Sequence, residues 1–317
     1  MEETRKKLSV AVITANRSAV LDECLASLTA SDYPVHEIIV YDNASTDDTG
    51  EMLARKYPNV RHVYNNRNMG LSHCHNLAMH QFSGDCIFLL DDDNILEPDM
   101  LGLLVDHLYS SGHGKVGIAV PLIYNYEPGG SICTPGGHTS LWSGKNCLNP
   151  AVPKPGTMYY DSQRASNSTL IRREVIEEIG YMDDALFSTL ADEDYVRRMN
   201  ARGYRCHVVL AAKIYHRMKV EAVDPARRVG ATNPARAYIL ARNRTVLVRR
   251  YARWYQLLVY LLFWQHVFNL FYLYTLLIRA RNWPLTKGYL LGMRDAYKYV
   301  LFKKLPPLAY VLEMVDG

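Results

Sequence analysis

Three consecutive carboxylates, Asp91, Asp92 and Asp93, end a short apolar run at residues 86–90. The run has the length and composition of a fully buried strand. Carboxylates crowded at the tip of such a strand repel one another and resist desolvation, so they need compensation. A divalent cation on oxygen ligands offsets both effects; a solvated acidic turn that caps the next helix is the structural alternative. A second acidic group, Asp192, Glu193 and Asp194, opens a helical pattern that Gly203 ends. Acids at a helix start suit the positive end of its dipole whatever else they do. His216 closes the strand-like stretch Lys213-Ile214-Tyr215-His216, where an imidazole is either packed or a ligand.

The elements that must position these groups alternate. Residues 8–14 read as a buried strand, followed by the turn Asn16-Arg17-Ser18 and by Val20, Leu21, Cys24, Leu25 and Leu28 at helical spacing. Strands follow at 37–41, 60–64 and 86–90. Between them lie a helix capped by Ser45 with early acids Asp47, Asp48 and Glu51, and a helix over 71–82. Pro98 opens a further helix. Four strand–helix alternations imply an α/β fold with a doubly wound, mostly parallel sheet. In such sheets ligands bind beyond the carboxyl ends of the strands, where Asn16, Asp42 and Asp91–Asp93 converge. Gly112-His113-Gly114-Lys115-Val116-Gly117 matches G-x-G-x-x-G, but it follows a helix and opens a strand, so it reads as a turn. Residues 124–160, rich in Gly and Pro and carrying Trp142, show no clear periodicity. Helices follow at 173–179 and 192–202, and a strand at 206–210.

The chain has 317 residues and a net charge of +4, unevenly placed. Arg227, Arg228, Arg236, Arg242, Arg244, Arg249, Arg250 and Arg253 fall in one stretch with no Asp or Glu. That basic run precedes residues 254–278, the longest uncharged apolar stretch, so anionic lipid or phosphate is favoured over nucleic acid as a partner. Six cysteines without Cys-x-x-Cys fit a reduced, cytosolic chain, and the charged lead-in of residues 1–7 does not read as a signal peptide.

Taken in order, these motifs resemble the family 2 glycosyltransferases, which have a GT-A fold. LSVAVITANR resembles the family's first strand and turn, IIVYDNASTDDT its second-strand signature, and NRNMGLSHCHNLAM the segment before the metal strand. LLDDDN supplies a D-x-D motif, ADEDYVRRMNARGYR the later acidic motif, and KIYH a late His. The layout is similar to rhamnosyl- and galactofuranosyltransferases of lipid-linked glycan assembly. The resemblance implies an inverting transfer from a UDP- or dTDP-sugar to a hydroxyl of a lipid-linked or polysaccharide acceptor. It implies Mn²⁺ or Mg²⁺ held by Asp93 and His216, with Asp91 in the metal shell or on the ribose, and Asp192 as the base. Thr14, Asn16, Arg17, Asp42, Asn43, Asn68, Gly70, Asp91 and Asp92 would then line the donor site, Asp42 accepting from the base. Trp142, Glu193 and Asp194 are the acceptor-side candidates, and three consecutive acids leave room for a shifted base.

The expected division is a catalytic domain at 1–220 and a basic, apolar helical tail at 221–317. Basic flanks on both sides of 254–278 and the aromatics Trp254, Tyr255, Tyr272, Tyr274 and Trp283 suit an interfacial or re-entrant segment. A true span and a dimerising or core helix are the other readings. Location at the cytoplasmic face of the membrane, peripheral or monotopic, follows from the first. A nucleotidyltransferase would want a glycine-rich phosphate loop after the first strand, which Thr14-Ala15-Asn16-Arg17 lacks. A non-catalytic membrane adaptor would not need both carboxylate groups and the His.

Overall fold

The computed structural model describes residues 5–126, 130–166, 168–217, 224–307, 310, 311 and 313. The chain forms two compact units: residues 1–138, 148–182 and 195–218, and residues 139–147, 183–194 and 219–317. The second unit thus takes in two segments that the sequence reading placed with the catalytic domain.

The first unit is built on β1 (Leu8–Thr14), β2 (Val35–Asn43), β3 (Arg61–Asn65), β4 (Cys86–Asp91), β5 (Asn94–Leu96) and β6 (Val116–Asn125), with the short β7 (Ile132–Thr134). After a two-stranded hairpin, β8 (Gly137–Thr139) and β9 (Asn146–Leu148), come β10 (Tyr159–Asp161), β11 (Ser168–Arg172) and β12 (Arg205–His216). The main sheet runs β10-β12-β6-β11-β4-β1-β2-β3. β1 is parallel to β2 and β4, β2 to β3, and β12 to β6, whereas β11 runs antiparallel between β4 and β6.

Alternation along each strand feeds two cores. Leu8, Val10 and Val12 of β1 pack in one cluster with Leu21, Leu25 and Leu28 of α1 (Ser18–Thr29). Ala11 and Ile13 pack on the opposite face with Cys74 and Ala78 of α3 (Leu71–Gln81). A strand buried on both sides reads as an unbroken apolar run, as residues 86–90 do. Three local expectations change. Helix α2 spans Thr49–Lys56, so Ser45 is not its cap. β5 was not anticipated; it precedes α4 (Met100–Tyr109) and pairs with β12. The strand expected at 206–210 continues to His216.

His75 of α3 is buried, its Nε2 has no hydrogen-bond partner, and burial pulls its pKa from 6.5 down to about 4. Between those pH values the unfolded chain binds a proton that the native state refuses. Stability should therefore fall as pH drops through this window, by up to about 3 kcal/mol from this group. Urea midpoints at pH 7 and pH 5 measure the fall, and His75→Leu should reduce it.

The second unit is helical. α5 (Arg173–Ile179) belongs to the first unit, and α6 (Ala191–Asn200) begins in the second. After the single turn α7 (Pro225–Arg228), α8 (Pro234–Tyr251) starts where the Asn233 side chain accepts from the Arg236 N–H and Pro234 occupies the first turn. An apolar helical stretch, Trp254–Arg279, is long and apolar enough to cross a membrane. It consists of α9 (Trp254–Val259) and α10 (Gln265–Leu273), with π-helical turns at Tyr260–Trp264 and Tyr274–Arg279. Trp254, Leu258, Leu262, Phe263 and Leu270 on it are exposed, which is unlike a core helix. α11 (Trp283–Phe302) lies against α8. A Cβ at Gly292 would stand 2.2 Å from the Tyr238 carbonyl oxygen, and one at Gly288 2.3 Å from that of Pro234. Gly292→Ala should force the two helices apart at a cost of about 1–3 kcal/mol, read as a lowered Tm.

Candidate active site

At the tip of β4 the acids are sorted by their neighbours. Thr14 Oγ1 donates to Asp92 Oδ2 at 2.6 Å. Arg17 Nη1 bridges Asp92 Oδ1 at 2.9 Å and Asp93 Oδ2 at 2.8 Å. His216 Nε2 stands 3.2 Å from Asp93 Oδ1. The antiparallel pairing of β5 with the end of β12 sets His216 opposite Asn94, and this unforeseen ladder is what brings His216 to Asp93. Burial raises the Asp92 carboxyl pKa despite Thr14 and Arg17. Burial also works against charge on Asp93 and His216, but the attraction between them, an ion pair at 3.2 Å, outweighs it. Asp93 lies below its ordinary value, with Arg17 helping, and His216 is pushed up to about 10, with Cys133 helping.

Asp93 and His216 suit a cation that displaces the imidazole proton, since an imidazolium has no lone pair to offer. Adjacent ligands of an octahedral dication stand about 3 Å apart, and an O/N donor pair fits Mn²⁺ better than Mg²⁺. Among the described residues no group of three or more His, Cys, Asp or Glu side chains forms a cage. A hard dication that also takes waters and phosphate oxygens needs only one or two protein ligands. The residues present therefore fit a cation shared with a diphosphate. Asp91, partly exposed, has its carbonyl oxygen bonded by Asn94 Nδ2 at 3.1 Å.

The other candidates of the first unit mostly order loops. Asn16, at φ +55°, accepts on Oδ1 from the Thr46 N–H at 2.7 Å, and its own N–H donates to Ser45 Oγ at 2.8 Å. Asn43 Oδ1 accepts from the Met69 N–H at 2.9 Å and its Nδ2 donates to Asn68 Oδ1 at 2.8 Å, which also accepts from the Gly70 N–H at 3.0 Å. Gly70 itself has φ +83°, which favours glycine. Asp42 is 1% exposed, with Oδ1 accepting from the Ser45 N–H at 2.8 Å and Oδ2 3.2 Å from His62 Nε2, so it orders the turn after β2. Thr14 and Asp92 are buried against each other and support Arg17, which is half exposed.

In the second unit the consecutive acids also separate. Glu193 is 0% exposed and accepts from the Thr139 N–H at 2.9 Å and from Thr139 Oγ1 at 2.6 Å. Asp194 is 1% exposed and accepts from Arg250 Nη1 and from Tyr251 OH, both at 2.8 Å. The oxygens of Glu193 and Asp194, expected on the acceptor side, are engaged with Thr139, Arg250 and Tyr251 in the interior of this unit. Asp192 is the partly exposed member of the three. Trp142, 48% exposed, has its ring 5.5 Å from that of Tyr255.

A family model described as glycosyl transferase family 2 matches residues 9–180. An N-acetylglucosaminyl-diphospho-decaprenol L-rhamnosyltransferase of Mycobacterium tuberculosis is 26% identical over 275 residues, covering 78% of this chain and 88% of that protein. A GalNAc(5)-diNAcBac-PP-undecaprenol beta-1,3-glucosyltransferase of Campylobacter jejuni is 34% identical over 103 residues, 31% of this chain and 33% of that protein. The solved structure of a Pyrobaculum calidifontis mannosyltransferase in complex with GDP-Man and Mn²⁺ superposes with a TM-score of 0.55 at 17% identity, covering 95% of this chain and 89% of the other. With a GT-A sheet and a family match over more than half its length, the chain belongs to glycosyl transferase family 2 and is a glycosyltransferase.

Proposed function

We propose that this glycosyltransferase is inverting and metal-dependent, and that it moves a sugar from a UDP- or dTDP-sugar to a hydroxyl of a lipid-linked acceptor at the cytoplasmic face of the membrane. The observation that carries the metal-dependent reading is the Asp93–His216 pair, 3.2 Å apart at the carboxyl edge of the sheet. Asp93 and His216, with Asp91 beside them, would hold Mn²⁺. When bound there, the cation neutralises charge developing on the leaving diphosphate, a contribution of several kcal/mol. Arg17 is a second positive group at that edge and keeps Asp92 and Asp93 in place. Asp192 accepts the proton of the acceptor hydroxyl, which lets the oxygen attack from the face opposite the leaving group and invert the anomeric carbon.

Two relatives whose names specify polyprenyl diphosphate glycans support a lipid-linked acceptor over a free polysaccharide. The exposed apolar face of Trp254–Arg279, flanked by Arg253 and Arg281, supports a membrane surface as the place of reaction. Thermal-shift titration with UDP-, dTDP- and GDP-sugars, each with and without Mn²⁺, tests the donor reading. Stabilisation by a UDP- or dTDP-sugar that requires Mn²⁺ is expected, and stabilisation by GDP-sugars alone would overturn the donor class. Flotation with anionic vesicles tests the surface. Protein that stays at the bottom as a dimer would mean that a second copy covers the apolar face.

A further inference from the structure

The segment leading to Asp192 carries two bulky residues in the left-handed region, Phe187 at φ +62° and Leu190 at φ +66°. A bulky residue there is strained and persists only where its surroundings over-determine the backbone. Both side chains are buried. We infer that Asn243, oriented by Arg242, is a positioning residue that holds this strained turn so that Asp192 is presented to the acceptor. The inference rests on the assignment of Asp192 as base.

The contacts are specific to the strain. Asn243 spends both hydrogens of its side-chain amide on this turn, donating to the Leu186 carbonyl at 2.8 Å and to the Thr189 carbonyl at 2.7 Å. Those carbonyls belong to the peptide planes immediately before Phe187 and Leu190, so one side chain fixes both planes from which the left-handed rotations start. The amide cannot flip without losing its Oδ1, which accepts from Arg242 Nε at 2.8 Å. Arg242 also donates through Nη2 to the Ala185 carbonyl.

Arg242 is fully buried, and among the described residues no carboxylate pairs with it directly. Its charge is met by that carbonyl and by Tyr238 OH at 3.4 Å, which in turn donates to Asp295 Oδ2 at 3.0 Å. Burying a guanidinium in this way is costly, and an apolar side chain would pack at less expense; orientation of a neighbour is what the charge can supply.

The same helix holds the rest of the segment. Arg250 bonds Asp183 at 2.5 Å and Asp194 at 2.8 Å, near the two ends, and Arg236 Nη1 donates to Ser188 Oγ at 2.9 Å. The Leu190 carbonyl then accepts from the Asp194 N–H at 3.0 Å and opens α6. The rotation at Leu190 therefore sets the direction in which the first helical turn, with Asp192 on it, leaves the loop.

The test is a double-mutant cycle in the full-length enzyme, with sugar transfer measured at saturating donor. Asn243→Ala should lower kcat by about 10- to 100-fold, with donor KM unchanged. In the Asp192→Asn background it should cost nothing further, because the group it positions is gone. Leu190→Gly is the second variant, for use if Asn243→Ala does not fold: glycine reaches φ +66° without strain but is free to leave it. It should show the same loss when Asp192 is intact and none in the Asp192→Asn background. Equal losses in both backgrounds mean a merely structural role and overturn the inference, as does full activity of Asn243→Ala beside an inactive Asp192→Asn. Near-wild-type turnover of Asp192→Asn alone removes the base assignment, and the inference with it.

Discussion

Asp192→Asn should slow sugar transfer by about 10²–10⁴-fold, a barrier increase of roughly 3–5 kcal/mol, while leaving donor affinity unchanged. Asparagine has the size of aspartate and can still start α6, so the fold and the donor site are kept. What is lost is a group able to take a proton from the attacking hydroxyl. The neighbours give the contrast. Glu193→Gln would loosen the grip on Thr139, and Asp194→Asn would leave Arg250 with Asp183 as its remaining acid; both should appear first as a lowered Tm. Turnover with acceptor present, donor affinity by calorimetry and melting curves on the three variants separate the roles. An Asp192→Asn enzyme that transfers sugar at a normal rate would move the base elsewhere.

The sheet was legible because its strands are buried on both faces. Leu8–Thr14 and residues 86–90 need no partner information to be read as apolar runs, and turn residues bound each one. Glycine stops did the same for α5 and α6. The short ladders escaped: β5 has three residues, and its pairing with β12 is a long-range fact that no local pattern carries. At the site, residue type indicated chemistry but not orientation. Asp42, Asp92, Glu193 and Asp194 look the same in sequence as Asp93 and Asp192, yet four of these acids face backbone N–H groups, hydroxyls or arginines in the interior. Only the fold shows which partner each carboxylate takes. Arg242 reads in sequence as one member of a basic run, but what it and Asn243 do, holding Ala185, Leu186 and Thr189, depends on two left-handed residues whose types, Phe and Leu, conceal them. A glycine at either position would have signalled the turn.

A second large loss is expected from Asp93→Ala. Removing this carboxylate takes away one of the three proposed cation donors and leaves His216 without its ion-pair partner at 3.2 Å. It also leaves Arg17 with Asp92 as its remaining acid. If the cation contributes several kcal/mol to departure of the diphosphate, kcat/KM should fall by about 10³-fold or more. Mn²⁺ should no longer deepen the thermal shift given by the donor. Asp92→Asn separates this effect from general damage at the acidic tip. Asp92 is the buried acid that holds Thr14 and Arg17, so its loss should lower Tm yet leave the Mn²⁺ titration in place. A chelator should reproduce the Asp93→Ala behaviour in the wild-type protein and add nothing to the variant. Were Asp93→Ala to titrate with Mn²⁺ as the wild type does, the 3.2 Å approach of His216 would be an ordinary ion pair, and the charge on the leaving group would have to be met by Arg17 instead.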